Sequence, residues 1–464
     1  MQRLPRKAGW RLAGSAVAAF LGLSLSAAAG RPIPLVLISI DGLRAQDVLE
    51  ADRVGLRVPH LRRLMAEGAY ARAVEGVVPG VTYPSHTTLV TGVSPERHGI
   101  LQNRPFDPLG RNADGWYWYA EDIGVPTLWS AARDAGLSTA SVDWPVTVGA
   151  DITYNVAQYW RSEPQATDQV KLIRALSTRG LLAEAERSVG DLPKGQGGIE
   201  DDERRAALCE FLQDTRRPAL ELCYFASLDE VEHTWGPATP AVFAVLERLD
   251  AIVGRMRTAA ERSGGGRARV VVVSDHGFSH TTRELDLNEA LRAAGLLQLD
   301  ASGAVRGWRA FAWGLGGSGT VMLRDPQDRE GRLRVRAALL ALERKGLLSR
   351  IVEEERALPG SPGVAFTVLL SPETRLVDLR KGFVVREGAA GGDHGYDPEL
   401  PEMAATLFLA GPGIPAGRDL GRVDQRDVAP TLAALLGVDL PSAEGRDLLA
   451  TSGALLVSQA NRVR

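Results

Sequence analysis

Six side chains, Asp41, Asp229, His233, Asp275, His276 and His394, have the types and spacings of a metal centre. Asp229 and His233 stand four residues apart, so on a helical turn both face the same side. Asp275 and His276 are neighbours after the apolar run Val270-Val271-Val272-Val273-Ser274. The break from strand to loop there lets adjacent side chains converge. Carboxylates with imidazoles and no thiolate suit Zn²⁺, with Mn²⁺ or another divalent ion such as Fe also accommodated. Six ligands exceed what one catalytic zinc takes and suffice for two three-ligand sites with open positions. Taken singly, an Asp-His pair at a strand end reads equally as a turn with a capped helix. Several strand ends that converge on one sheet edge with such residues make coincidence a poor account.

A hydroxyl accompanies this set. In Gly80-Val81-Thr82-Tyr83-Pro84-Ser85-His86, Thr82 lies where a Gly/Pro-rich loop gives way to an apolar helical run. Pro84 suits a first helical turn. A hydroxyl at that point meets free backbone N–H groups and the positive end of the helix dipole, which favour anions. The same residue also reads as an ordinary N-cap. His60, His86, His98 and His280 are assigned to packing or surface roles, because none ends a strand beside an acidic partner.

The elements that must carry these residues follow from the apolar runs. Leu35 to Ile40 and Leu220 to Ala226 are continuous apolar stretches, as strands covered on both faces require. Helical spacing follows at Leu61–Gly68, Leu128–Ala135, 241–262 and Val428–Leu436, several closed by Gly. Strands alternating with helices predict an α/β fold: a doubly wound, mostly parallel sheet with helices on both faces. The catalytic core is expected over 31–298 and 391–464, with a helical surface elaboration at 153–215 and an inserted α+β subdomain at 299–390. The Gly-rich run Gly314-Leu315-Gly316-Gly317-Ser318-Gly319 opens no helix, so it reads as a flexible loop and not a nucleotide loop.

Composition narrows the class. The chain has 464 residues and a formal net charge of −3, without the basic surface a nucleic-acid binder needs. Residues 1–30 read as a signal peptide: Arg3, Arg6, Lys7 and Arg11, then Leu12 to Leu25, then Ser26-Ala27-Ala28-Ala29. The alternative is an uncleaved anchor. Export to the periplasm or the medium is therefore expected, with no membrane span in the mature chain. Cys209 and Cys223 form either a disulfide or two buried thiols.

The combined pattern is Ser39-Ile40-Asp41-Gly42, Thr82-Tyr83-Pro84-Ser85-His86, His98-Gly99-Ile100 with Asn103, Asp229 with His233, Ser274-Asp275-His276-Gly277, and Gly392-Asp393-His394-Gly395-Tyr396-Asp397. It resembles the nucleotide pyrophosphatase/phosphodiesterase family (type I phosphodiesterases) of the alkaline phosphatase superfamily, from Leu35 to about Leu440. The resemblance implies two zinc ions, one held by Asp229, His233 and His394 and the other by Asp41, Asp275 and His276. It implies Thr82 as the metal-bound nucleophile, passing through a covalent phospho-threonine. Asn103 is implied to hydrogen-bond a phosphoryl oxygen, and Tyr83 with Tyr224 to form a slot for a nucleobase. Small-molecule phosphodiesters or pyrophosphates are the implied substrates.

The chain departs from the pattern beside the first site. Ser227-Leu228 replaces a common Glu-Pro pair, and Glu232 stands where Gly is usual, to reach the metal site or face solvent. Two rivals remain. A phosphomonoesterase or phosphonate hydrolase would share the fold, but the monoesterases' Lys-x-Arg pair has no counterpart in Val142-Asp143-Trp144-Pro145. A metal-stabilised binding protein without turnover would have no use for Thr82.

Overall fold

Alternate residues of one strand divide the interior. In the computed structural model, β1 (Leu35–Ile40) is buried along its whole length. Val36, Ile38 and Ile40 join one apolar cluster and Leu35 and Leu37 the other. The two-residue period of a strand sends these sets to opposite faces, so helices must cover both. The described residues are 33–450 except 113–114, 162–167, 196 and 358–361; of 355–357 only the backbone is described. The expected signal peptide lies outside them. Among the described residues, no helix is long and apolar enough to cross a membrane.

The main sheet has eight strands: β1, β2 (Ala69–Tyr70), β3 (Thr139–Val142), β4 (Tyr154–Val156), β5 (Leu220–Phe225), β6 (Arg269–Val273), β7 (Leu407–Ala410) and β8 (Arg418–Asp419), in the order β8-β2-β7-β6-β1-β5-β3-β4. The run β6-β1-β5-β3-β4 is parallel throughout, while β7 lies antiparallel to both β6 and β2. Four helices matter for the site: α1 (Thr82–Thr91), α2 (Gly198–Thr215), α3 (Ser227–Trp235) and α4 (Pro240–Ser263). Helix α4 packs Leu246, Leu249, Ile252 and Val253 onto one face of the sheet. Leu89 and Val90 of α1 pack on the other, with Leu432 of the Val428–Leu436 helix.

The first elaboration differs from its expected form, and the second packs with residues outside its expected limits. The 153–215 stretch is part of the core: it supplies edge strand β4, and Leu208, Cys209, Phe211 and Leu212 of α2 belong to the main apolar cluster. Long-range packing accounts for this, because α2's charged residues mask its buried side in sequence. The second region has a four-stranded antiparallel sheet (Ala310–Trp313, Ser318–Leu323, Gly363–Leu370, Leu348–Ala357) and the helix Arg329–Glu343. Its apolar cluster draws in Leu285, Leu287, Leu291 and Leu297, upstream of residue 299. A ribbon links it to the main sheet, with Ser279–Asp286 paired antiparallel to Val385–Asp393. The Gly-rich run is pinned: the Gly317 N–H donates to the His394 carbonyl, and a Cβ on Gly317 would collide with the Tyr396 nitrogen.

Cys209 on α2 and Cys223 on β5 are joined as a disulfide. Nearby, Glu221 is fully buried on β5, where Gln213 Nε2 donates to one carboxylate oxygen at 2.6 Å. Burial pushes its carboxyl up to about 8. The neutral acid therefore contributes its full stability below the unfolded value of about 4.3. That contribution is lost as the pH rises through the folded value, on the order of a few kcal/mol in all. Replacing Glu221 by Gln removes the titration. In denaturant unfolding at pH 5 and pH 9, the variant should gain on the wild type at the higher pH; a constant gap would show that Glu221 does not titrate there.

Candidate metal centre

The C-terminal ends of three adjacent parallel strands, β6, β1 and β5, open onto one place. Asp41 follows β1, Asp275 follows β6, and α3 with Asp229 and His233 starts directly after β5. His394 arrives differently from its expected strand end, from the antiparallel ribbon and not the main sheet. Gly42, at φ +76°, makes the turn after Asp41, and its N–H donates to Asp275 Oδ1 at 3.2 Å. A left-handed φ there favours glycine. A Cβ would also meet Glu232 at 2.8 Å.

The three imidazoles share one arrangement. Nδ1 of His233 lies 3.1 Å from the Gly392 carbonyl, Nδ1 of His276 lies 3.2 Å from that of Gly277, and Nδ1 of His394 lies 3.2 Å from that of Gly80. A carbonyl only accepts, so each Nδ1 carries the proton and each Nε2 is left for the centre. Those Nε2 atoms face carboxylates: His233 and His394 lie 3.4 and 3.6 Å from Asp229 Oδ1. His276 lies 3.3 Å from Asp41 Oδ1 and 3.0 Å from Asp275 Oδ2. The His276 and His394 rings stack at 3.5 Å. Asp41 Oδ1, Asp229 Oδ1, Asp275 Oδ2 and His276 Nε2 are buried without a hydrogen-bond partner. Orphaned inward oxygens beside backbone-anchored imidazoles fit divalent cations.

The electrostatics agree. Burial first, and then the charges of Asp275 and Asp229, push the Asp41 carboxyl well up. Burial works against ionised Asp229 and Asp275, yet the imidazoles hold both down, His233 acting on the first and His276 on the second. Burial opposes a charged His233, but Asp229 lifts it to about 10. His276 is likewise raised by Asp275 against its burial. Burial and then charged His276 push His394 down to about 3. Packed carboxylates thus recruit protons onto the imidazoles where cations would otherwise balance them. The atoms able to ligate a metal group as Asp41/Asp275/His276, as Asp229/His276/His394, and as His233/Asp393/His394. Asp393 was not among the six candidate ligands; its place beside His394 was the available signal.

Helix α1 begins at Thr82, and Val81 is its N-cap with no side-chain cap bond. The capping alternative for Thr82 is therefore set aside. The Tyr83 N–H donates to Asn103 Oδ1 at 2.9 Å, which leaves the Asn103 amide NH₂ free to donate elsewhere. His86, assigned to packing, sits directly behind Thr82. Its Nδ1 donates to the Thr82 carbonyl at 2.8 Å and its Nε2 accepts from Ser39 Oγ at 2.8 Å. Burial lowers its pKa, so it is neutral. Its i, i+4 spacing from Thr82 was the missed signal.

Two expectations fail on burial. Tyr83 has no exposed ring face: it is enclosed by Trp116, Trp118 and Trp160, and its hydroxyl donates to Gln158 at 2.6 Å. Tyr224 packs edge-on against His86 and donates its hydroxyl to Asp41 Oδ2 at 2.6 Å. Neither ring is open for a base to stack on. Glu232 neither ligates nor meets solvent; it is fully buried, burial pushes its carboxyl well up, and both oxygens lack partners.

Residues 35–373 match the family model for type I phosphodiesterase/nucleotide pyrophosphatase. Over 256 residues, 53% of the chain, it is 26% identical to human ectonucleotide pyrophosphatase/phosphodiesterase family member 1, and it spans 23% of that relative's length. An uncharacterised pyrophosphatase/phosphodiesterase of Schizosaccharomyces pombe is 24% identical over 88% of the chain and 77% of its own length. The fold is similar to murine ectonucleotide pyrophosphatase/phosphodiesterase 5, solved as an inactive threonine-to-alanine variant with AMP: TM-score 0.63, 18% identity, covering 89% of this chain and 97% of that one.

Proposed function

Because the chain belongs to the type I phosphodiesterase/nucleotide pyrophosphatase family, we propose that it hydrolyses phosphodiester or pyrophosphate bonds in nucleotide-type small molecules, using Thr82 and two divalent ions. The observation that carries this reading is the set of three imidazoles, each anchored through Nδ1 and turned through Nε2 toward Asp41, Asp229 and Asp275. Asp229, His233 and His394 would hold one ion, and Asp41, Asp275 and His276 the other. When bound, two zinc ions would acidify a hydroxyl and offset charge on the phosphoryl oxygens.

The chain's own groups divide the remaining work. Thr82 Oγ attacks phosphorus in line, forming the P–O bond of a phospho-threonine as the leaving oxygen departs. The Asn103 amide and the N-terminus of α1 donate to the non-bridging oxygens, whose charge grows in the transition state. Neutral His86 holds the Thr82 carbonyl, which fixes the first turn of α1. Water then cleaves the phospho-threonine and restores the hydroxyl. The human relative's name as an ecto-enzyme and the leader-like residues 1–30 support action outside the cytoplasm.

A diester is favoured by the charge near Asp143. Among the described residues, the guanidinium paired with Asp143 is Arg205, buried and also paired with Asp202, so it is not offered to a phosphate's extra charge. The test strips the enzyme of metal, reloads it with zinc, and compares bis(p-nitrophenyl) phosphate with p-nitrophenyl phosphate. Zinc-dependent turnover favouring the diester is expected. A dominant monoester rate would move the protein to the phosphatase branch.

A further inference from the structure

The helix that carries Asp229 and His233 is held by a neighbour. The N-cap of α3 is Ala226, which has no side chain able to cap. The missing acceptor comes from α2. Asp202, fully buried, accepts from the N–H of Ser227 at 2.9 Å and of Ala226 at 3.2 Å. A carboxylate there also lies at the positive end of the α3 dipole.

Asp202 is itself fixed. Arg205 Nη1 donates to its Oδ1 at 2.6 Å, while Arg205 Nε pairs with Asp143 at 2.6 Å, beyond the end of β3. A second tie runs beside it, because the Gly198 N–H donates to Glu230 Oε2 at 2.6 Å. Glu230 is the residue after Asp229. Both ties therefore bear on the first turn of α3, where Asp229 must meet His233 and His394 together. A small rotation of that turn would take Asp229 Oδ1 away from one of them. The Ser227-Leu228 pair, a departure from the resembled family, lies in this turn.

We propose that Asp202 is a positioning residue for the first metal site, holding the start of α3 so that Asp229 and His233 stand in ligand geometry. The proposal rests on the two-metal reading above. Its test uses the full chain as wild type, Asp202→Asn and Asp202→Ala. Zinc per chain is measured after dialysis against buffered zinc, and the affinity of each site by competition with a chelator. The wild type is expected to hold two ions. Asp202→Ala should weaken one of them about 10–100-fold and leave the other unchanged. Asp202→Asn, which keeps one acceptor oxygen, should fall between, and saturating zinc should restore diester hydrolysis in both.

Recovery by zinc separates positioning from simple loss of stability. Two ions bound at wild-type affinity in both variants would overturn the proposal, whatever happened to the unfolding midpoint. Should Asp202→Ala fail to fold, Asp202→Asn and Glu230→Ala decide by the same readouts. A wild type that binds fewer than two zinc ions would instead overturn the two-metal reading, and this proposal with it.

Discussion

Replacing Thr82 by Ala will abolish diester hydrolysis while leaving two zinc ions per chain. The expected loss is at least about a thousandfold, since without the proposed nucleophile only binding and electrostatic assistance remain. Metal content should survive for a geometric reason: the inward atoms of the six candidate ligands are positioned without Thr82. His276 and His233 are anchored on carbonyls of Gly277 and Gly392, and His394 on that of Gly80, none of them in α1. The fold should survive too, because the N-cap of α1 is Val81 and no cap bond from Thr82 is lost. Zinc analysis and diester rates on one preparation check both halves. Joint loss of metal and activity would make Thr82 structural. Retained activity would mean that a different group attacks phosphorus.

Much of this centre was legible in sequence because its scaffold is a parallel sheet. Strands such as Leu35–Ile40 and Leu220–Phe225 are buried on both faces and must be continuous apolar runs. A polar residue that ends such a run is therefore conspicuous, and Asp41 and Asp275 stood out for that reason. The Val428–Leu436 helix matched its predicted limits, with Gly437 in the left-handed conformation closing it. What escaped depends on contacts between distant segments. Asp202 sits in the acidic run Glu200-Asp201-Asp202-Glu203, which reads as a solvated face until β5 and α3 are packed against it. Tyr83 looked available beside Thr82, but Trp116, Trp118 and Trp160 arrive from up to 77 positions away to enclose it. Glu232 looked able to reach metal or water, and helical rotation buries it under Gly42 instead.

Replacing Asp275 by Asn should leave one zinc per chain and lower diester turnover by at least about a thousandfold. The Asn can keep an oxygen for the Gly42 N–H, which Oδ1 now accepts, so the turn after β1 is preserved. The inward Oδ2 becomes an amide NH₂ facing His276 Nε2, and a candidate ligand is replaced by a donor. A metal ion supplies several kcal/mol of transition-state charge stabilisation. At about 1.4 kcal/mol per tenfold, roughly 4 kcal/mol corresponds to the stated loss. The variant should also change the pH dependence of zinc uptake. In the metal-free centre Asp229 holds His233 up to about 10, and Asp275 raises His276 against its burial. Those imidazoles must shed protons to bind metal, so zinc affinity climbs with pH across the neutral range, by up to about tenfold per unit for each proton released. Asn at 275 removes the charge that keeps His276 protonated, so fewer protons should be released per zinc bound. Calorimetric zinc titrations in buffers of different ionisation enthalpy count those protons directly. An unchanged count together with two bound ions would place Asp275 outside the ligand set. A reduced count with one ion bound would tie the second site to the β6 strand end, and the acidity of its imidazole to the same carboxylate.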